Sequence, residues 1–381
     1  MNRIQQLHAQ GQSVWCDNLS RRMIDSGELT RLVGLGVVGI TSNPTIFMKA
    51  ISNSTDYDNL LAQVYEFPAL SKSLSDALVD AYERLVLPDI ADAADVLRPV
   101  YERTHGVDGY VSLEVNPKLA YDTAATVAEA RRLFGELNRS NVFIKVPATD
   151  QGIPAIETLI GEGINVNVTL IFSIAMYEKV MKAYINGLKR LQAAQGDLSS
   201  VASVASFFVS RVDTEVDQQL ASPLHKGGHR GVEALPGKAA VANAKLAYVR
   251  FREVFAPRGD FADLAAHGAR VQRPLWASTS TKNPAYRDTM YVDDLVGPET
   301  VNTMPPETLA AVLDHGRTEV TVDRGLDAAR DTFRQLAKLG IDMKAVTDKL
   351  TLDGVNAFAR SFDELIAHLS QKCSQLHHAK S

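Results

Sequence analysis

The 381 residues are 45% hydrophobic and 22% charged, an ordinary globular composition with length for two domains or one large α/β barrel. Forty basic side chains against forty-five acidic ones leave a net charge of −5, which argues against a general nucleic-acid binder. No uncharged apolar run reaches membrane-spanning length, and two cysteines without CxxC or Cys/His ligand spacing indicate neither a disulfide framework nor a zinc site.

The chain opens on "MNRIQQLHAQGQSVW", which has no uninterrupted apolar core of the kind a signal peptide needs. A cytoplasmic protein is the expectation. Strand candidates then follow in order: "VWCDNL" (Val14–Leu19), "VVGITSN" (Val37–Asn43), "GYVSLEV" (Gly109–Val115) and "VFIKVPA" (Val142–Ala148). "INVNVTLIF" (Ile164–Phe172), "SVASVASFFVS" (Ser200–Ser210), "RVQRPLWAST" (Arg270–Thr279) and a weaker "ETVNTM" (Glu299–Met304) complete a set of eight.

Helical patterns separate them. "PKLAYDTAATVAEARRLFGELN" (Pro117–Asn138) places Ala124, Val127, Ala128, Ala130, Leu133 and Phe134 at helical spacing. "SIAMYEKVMKAYINGLKRLQAA" reads the same way, with Ser173 as N-cap. Strands alternating with helices imply parallel β with crossover helices, and eight units fit a closed (β/α)₈ TIM barrel. A doubly wound sheet is the alternative, but no GxGxxG follows the first strand. Two additions decorate the barrel: a long helical stretch from Pro44 to Asp108 after strand 2, and C-terminal helix from about residue 326 to 371. With no Pro-, Gly- or Ser-rich linker, residues 1–381 read as one barrel domain with a C-terminal helical extension.

Side chains alternate across a strand, so one face of each barrel strand looks inward. In "INVNVTL" Asn165, Asn167 and Thr169 oppose an apolar face; in "VSLEV" Ser112 and Glu114 do; in "VFIKV" Phe143 and Lys145 do. The apolar faces suit the helix layer. The polar residues then point inward, near the C-terminal strand ends where barrel enzymes keep their chemistry. Asp17 has the same orientation relative to Cys16 and Asn18. A strand lysine can pair with a carboxylate and only stabilise the fold. Several charged groups in one lane favour chemistry instead, because buried ion pairs are a poor route to stability. Buried lysines also shift their pKa readily, which suits Schiff-base work.

In order along the chain, "VWCDNLSR", "GITSNPTIF", "VSLEVNP", "FIKVPAT", "INVNVTLIFS" and "VASFFVSRVD" resemble the motifs of transaldolases, from about Ser13 to Thr308. The chain looks most like the longer bacterial members. The resemblance implies a class I aldolase barrel with the Schiff-base lysine on the fourth strand, where the strand count puts Lys145. It implies Asp17 as the base that takes the hydroxyl proton beside the cleaved bond. Glu114 would shuttle protons through a water held by Thr169. Asn43 and Asn167 would bind the three-carbon fragment, with Ser206 beside them. Arg211 and, less closely matched, Lys282 with Ser280 would hold phosphate. Lys282 stands where shorter members have arginine, and a lysine binds phosphate as a point charge without the bidentate fork.

The implied reaction moves a dihydroxyacetone unit from sedoheptulose 7-phosphate or fructose 6-phosphate to an aldose phosphate in the non-oxidative pentose phosphate pathway. Fructose 6-phosphate aldolase-like activity is the near alternative. Those relatives carry tyrosine where this chain has Phe208, and a phenyl ring cannot orient a water as a phenol can. A non-catalytic phosphosugar-binding barrel is a third reading, which would need a broken catalytic set. No metal and no organic cofactor is implied, since the lysine supplies the electron sink. Sugar phosphates are the expected partners, with neither nucleic acid nor membrane, and a homodimer is implied by the resemblance alone. Trp15 and Trp276 read as packing residues. "LHKGGHRG" (Leu224–Gly231) reads as a loop, His377 and His378 as a solvated terminus, and Asp293 with Asp294 as a solvated face rather than a metal site.

Overall fold

A computed structural model describes residues 1–66, 74–225 and 232–380. Eight parallel strands close into a barrel in sequence order. They are β1 (Gln12–Cys16), β2 (Gly39–Thr41), β3 (Tyr110–Glu114), β4 (Val142–Pro147), β5 (Val166–Ile171), β6 (Ser203–Phe208), β7 (Arg273–Ala277) and β8 (Thr300–Met304). The barrel closes through β1 beside β8, with Cys16 opposite Met304. Helices follow the strands and pack outside, so the (β/α)₈ expectation holds and the doubly wound alternative falls.

Each strand expected from alternation is present, although the ends differ. β1 begins two residues before Val14 and stops before Asp17. Gln12 and Ser13 look like loop residues, yet both are buried. Gln12 Nε2 donates to Leu295 O at 2.8 Å, and Ser13 Oγ donates to Asp108 Oδ2 at 2.7 Å. The sixth segment is shorter than expected because Leu198–Ser200 forms a 3₁₀ turn. The helix expected from Pro117 begins at Thr123 instead, after a 3₁₀ turn, with Asp122 as its N-cap. Ser173 does cap its helix, accepting from the Met176 amide.

Register sets the interior layers. Glu114 lies opposite Lys145 across β3–β4, and Lys145 lies opposite Asn167 across β4–β5. Below them the barrel is floored by aromatic rings. Phe143 stacks on Tyr110 with centroids 4.2 Å apart and on Trp15 at 6.1 Å. Gly39 makes room for this floor: a Cβ there would lie 2.4 Å from the Trp15 ring. Trp15 and Trp276 are both fully buried, as packing residues should be.

The two decorations are helical. Between β2 and β3 the described residues form helices Pro44–Ser52, Asp58–Glu66 and Leu74–Arg103. After β8 come helices Pro306–His315, Leu326–Lys338 and Met343–Lys380. The last is tied down over the barrel mouth. It packs against Pro44–Ser52, where Thr45 donates to Ser361 Oγ at 2.8 Å. Lys118 pairs with Asp363, and Lys372 reaches Asp58 and Ser54 O. Its inner face buries Val346, Leu350, Val355, Phe358, Phe362, Leu365 and Leu369.

One expectation is overturned. Asp293 is not on a solvated face: it is 2% exposed, bound by Arg287, by the Thr289 hydroxyl at 2.8 Å and by the Arg317 amide at 2.8 Å. These partners lie six or fewer residues before it and 24 after, so folding buries a carboxylate that sequence presents as solvated. Both cysteines are free and buried. Among the described residues no helix is long and apolar enough to cross a membrane, and no His/Cys/Asp/Glu group could hold a metal. Residues 226–231, most of the glycine-rich stretch, and the side chains of His377 and His378 lie outside what is described.

Candidate active site

At the C-terminal ends of the strands a cavity of about 300 Å³ opens toward solvent. The alternation that gives β4 an apolar outer face turns Lys145 inward, and its side chain is buried. Lys145 Nζ lies 3.3 Å from Glu114 Oε2 and donates to Ser42 O at 3.0 Å. Glu114 is the last residue of β3 and is also buried. Burial pushes its carboxyl above the ordinary range, while the adjacent Lys145 ammonium pulls it back.

Asp17 follows β1 directly. Its amide still bonds to Met304 O at 2.8 Å, which extends the β1–β8 pairing by one residue and fixes the carboxylate at the mouth. Burial raises the Asp17 pKa. Lys145, and a 2.6 Å hydrogen bond from the Thr41 hydroxyl, act against that rise. The two carboxylates thus flank one lysine but have different hydrogen-bond partners.

Thr169 lines the same cavity. Its Oγ1 is buried and bonded to none of the described residues. β5 changes register with β6 between Val168 and Ile171, and Leu170 has φ +59°. An irregularity of this kind re-aims neighbouring side chains. Asn43 lines the cavity while its Oδ1 caps helix Pro44–Ser52 through the Ile46 amide at 3.0 Å. Its amide nitrogen therefore remains for a ligand. Asn167 sits deeper than expected. It is fully buried, donates to Ser112 Oγ at 3.0 Å and accepts from Ser206 Oγ at 2.7 Å. Ser206 itself reaches the cavity.

The rim carries cations. Arg211 makes no salt bridge among the described residues and packs over the Phe208 ring at 5.2 Å. The carboxylate two residues away, Asp213, is occupied by the Ala240 amide at 2.8 Å and the Tyr291 hydroxyl at 2.9 Å. Arg211 is therefore not consumed by a structural pair. Lys282 is exposed, lines the cavity and donates to Ser280 Oγ at 2.7 Å. All eleven expected site residues lie in or against this one region, Glu114 and Asn167 through their contacts with Lys145 and Ser206.

Sequence reasoning missed several lining residues: Thr41, Lys49, Thr303, Glu307 and Phe358. Thr41 and Thr303 carried a usable signal, since each lies in a strand segment at its C-terminal end. Phe358 carried none. It arrives from the C-terminal helix, 213 positions after Lys145, within an ordinary amphipathic pattern.

A lysine beside a buried carboxylate, a second carboxylate and three cations, Lys49, Arg211 and Lys282, without a salt bridge among the described residues make a set suited to imine chemistry on an anionic carbonyl compound. Comparison with known proteins points the same way. The profile of the family described as Transaldolase/Fructose-6-phosphate aldolase matches residues 14–369. The chain is 50% identical over 363 residues to the transaldolase of Mycolicibacterium smegmatis, covering 94% of each chain. It is 49% identical over 373 residues to the transaldolase of Thermobifida fusca, covering 97% of this chain and 98% of the relative. It is also 46% identical over 385 residues to Transaldolase 2 of Nostoc sp., covering 99% of each.

Proposed function

The chain belongs to the transaldolase/fructose-6-phosphate aldolase family and is an enzyme of the transaldolase kind, and from that premise we propose that Lys145 forms the Schiff base through which a dihydroxyacetone unit is transferred. The donor is a ketose phosphate such as sedoheptulose 7-phosphate or fructose 6-phosphate. The acceptor is an aldose phosphate such as glyceraldehyde 3-phosphate or erythrose 4-phosphate. The observation that carries the assignment is the 3.3 Å contact between Lys145 and Glu114 at the base of the cavity.

Lys145 attacks the donor ketone, and Glu114 moves protons during carbinolamine formation and imine hydrolysis, with Thr169 holding the intervening water. Asp17 takes the proton from the hydroxyl beside the bond that breaks. The iminium accepts the electron pair, so cleavage leaves an enamine rather than a bare carbanion. Asn43, Ser206 and Asn167 hold the retained fragment. Arg211 and Lys282, with Ser280, take the phosphate. No metal or organic cofactor enters this scheme. A homodimer is carried over from the resemblance alone, and a cytoplasmic location from the N-terminal sequence and the cysteine usage.

Phe208 supports transfer over release. Its ring lies under Arg211 and against Phe172 at 5.2 Å. It brings no hydroxyl to the cavity, so this position offers no phenol to orient a water toward the enamine-derived intermediate. Product analysis tests this. With fructose 6-phosphate alone the enzyme should release little free dihydroxyacetone, and Phe208→Tyr should raise that release about a hundredfold, the low end for a positioned proton-transfer group. Rapid release by the unaltered enzyme without an acceptor would favour the aldolase reading. Absence of transfer to erythrose 4-phosphate would favour a binding barrel.

A further inference from the structure

Asp17 is bonded by one hydroxyl, and that hydroxyl is bonded by another. Thr41 Oγ1 lies 2.6 Å from Asp17 Oδ1 and 2.6 Å from Thr303 Oγ1. Both threonines are 2% exposed, and both line the catalytic cavity. A threonine hydroxyl carries one proton and two lone pairs, and an ionised carboxylate only accepts. With Asp17 ionised, the Thr41 proton must lie on the Asp17 side. Thr303 is then the donor to Thr41. Proton counting thus fixes the order Thr303 to Thr41 to Asp17. Asp17 Oδ1 is occupied by this chain, whereas no described residue donates to Oδ2.

We propose that Thr303 and Thr41 are positioning residues, a two-hydroxyl chain that occupies Asp17 Oδ1 and leaves Oδ2 as the oxygen that takes the substrate proton. The proposal rests on the Schiff-base reading above. In the step concerned the C4 hydroxyl proton passes to Oδ2, and the O–H electron pair becomes the second bond of the departing aldehyde. The C3–C4 pair becomes the enamine double bond, and the iminium π pair settles on the Lys145 nitrogen. Oδ1 stays an acceptor from Thr41 throughout, so the carboxylate does not rotate as it changes charge. Thr41 comes from β2 and Thr303 from β8, the strands on either side of β1. Asp17 is thereby gripped from both neighbours.

Other charged and titratable groups also act on Asp17. Lys145 comes from β4, Glu114 from β3 and Arg211 from the helix Ser210–His225, with Glu307 from the helix after β8 and Cys16 from its own strand. None is altered by removing a threonine hydroxyl, so a change in Asp17 behaviour in the variants reports the hydroxyl chain.

The test is the pH profile of kcat/KM with fructose 6-phosphate and erythrose 4-phosphate, paired with borohydride trapping by dihydroxyacetone. A donated hydrogen bond favours the ionised carboxylate, so its loss raises the pH needed for base catalysis. Thr41→Val should move the acidic limb upward by about half to one pH unit and lower kcat about tenfold or more. Thr303→Val should move the limb in the same direction by less, and Thr41→Ser should keep the unaltered profile. Trapping on Lys145 should persist in all three, because imine formation does not use the Asp17 step. An unmoved limb in Thr41→Val, with trapping intact, overturns the proposal, and an unmoved limb in Thr303→Val overturns the part given to Thr303. Lost trapping in Thr41→Val would make the hydroxyl merely structural and overturn it too. Lost trapping in the unaltered enzyme would instead overturn the Schiff-base reading, and this proposal with it.

Discussion

Lys145 sits in an apolar run because strand alternation gives it a face of its own: Val142, Ile144 and Val146 turn to the helices while Phe143 and Lys145 turn inward. The Lys145 nitrogen lies 3.3 Å from Glu114 Oε2 and donates to the Ser42 carbonyl at 3.0 Å. In turn it holds down two carboxyls that burial pushes up. Asp17 also accepts from the Thr41 hydroxyl while Glu114 pairs directly with the lysine, so two similar groups have different contacts through which to divide the work. Replacing Lys145 with alanine should reduce transfer to background while far-UV circular dichroism stays unchanged, since Glu114 can take a proton and become neutral. Retained transfer in Lys145→Ala would assign the chemistry to another residue. Most of this was legible, because "VSLEV", "VFIKV" and "INVNVTL" alternate cleanly. The depth of Asn167 was not. Its two serine partners belong to other strands, and alternation gives a side chain's face without its distance from the mouth.

At the scale of elements, β1 shows where patterning fails. Gln12 and Ser13 belong to the strand although they are polar, because the lower end of the barrel is a hydrogen-bonded layer. There Ser13, Asp108 and Arg273 join, with Arg273 2.8 Å from Ser13 Oγ and 2.9 Å from Asp108 Oδ1. The C-terminal helix is the second case. Its amphipathic pattern announces a buried face but not what it covers. The structure lays Phe358 into the cavity wall and brings Gly354 against Leu170, the residue with positive φ after Thr169. Phe358→Ala should destabilise the protein by about 3 kcal/mol, the low end for a buried phenylalanine. It should also raise KM for sugar phosphates, because it enlarges the cavity and admits water. Urea unfolding and steady-state kinetics measure the two effects. A change in stability with unaltered kinetics would make the helix a cover only.

For the whole molecule, the eight-unit count was enough to predict the barrel, because parallel strands with crossover helices leave few alternatives. The closed order β1 to β8 gathers side chains from seven strand ends into one cavity, as a parallel barrel does with its C-terminal ends. Burial of Asp293 belongs to this scale, since its partners come from separate segments. The account's central claim is that the Lys145 amine bonds covalently to the donor carbonyl carbon. Mass spectrometry of enzyme reduced with borohydride in the presence of fructose 6-phosphate tests it most directly. A single adduct with the mass of a reduced dihydroxyacetone unit on the peptide containing Lys145 is the predicted result. No adduct, or an adduct on a different lysine, would contradict it.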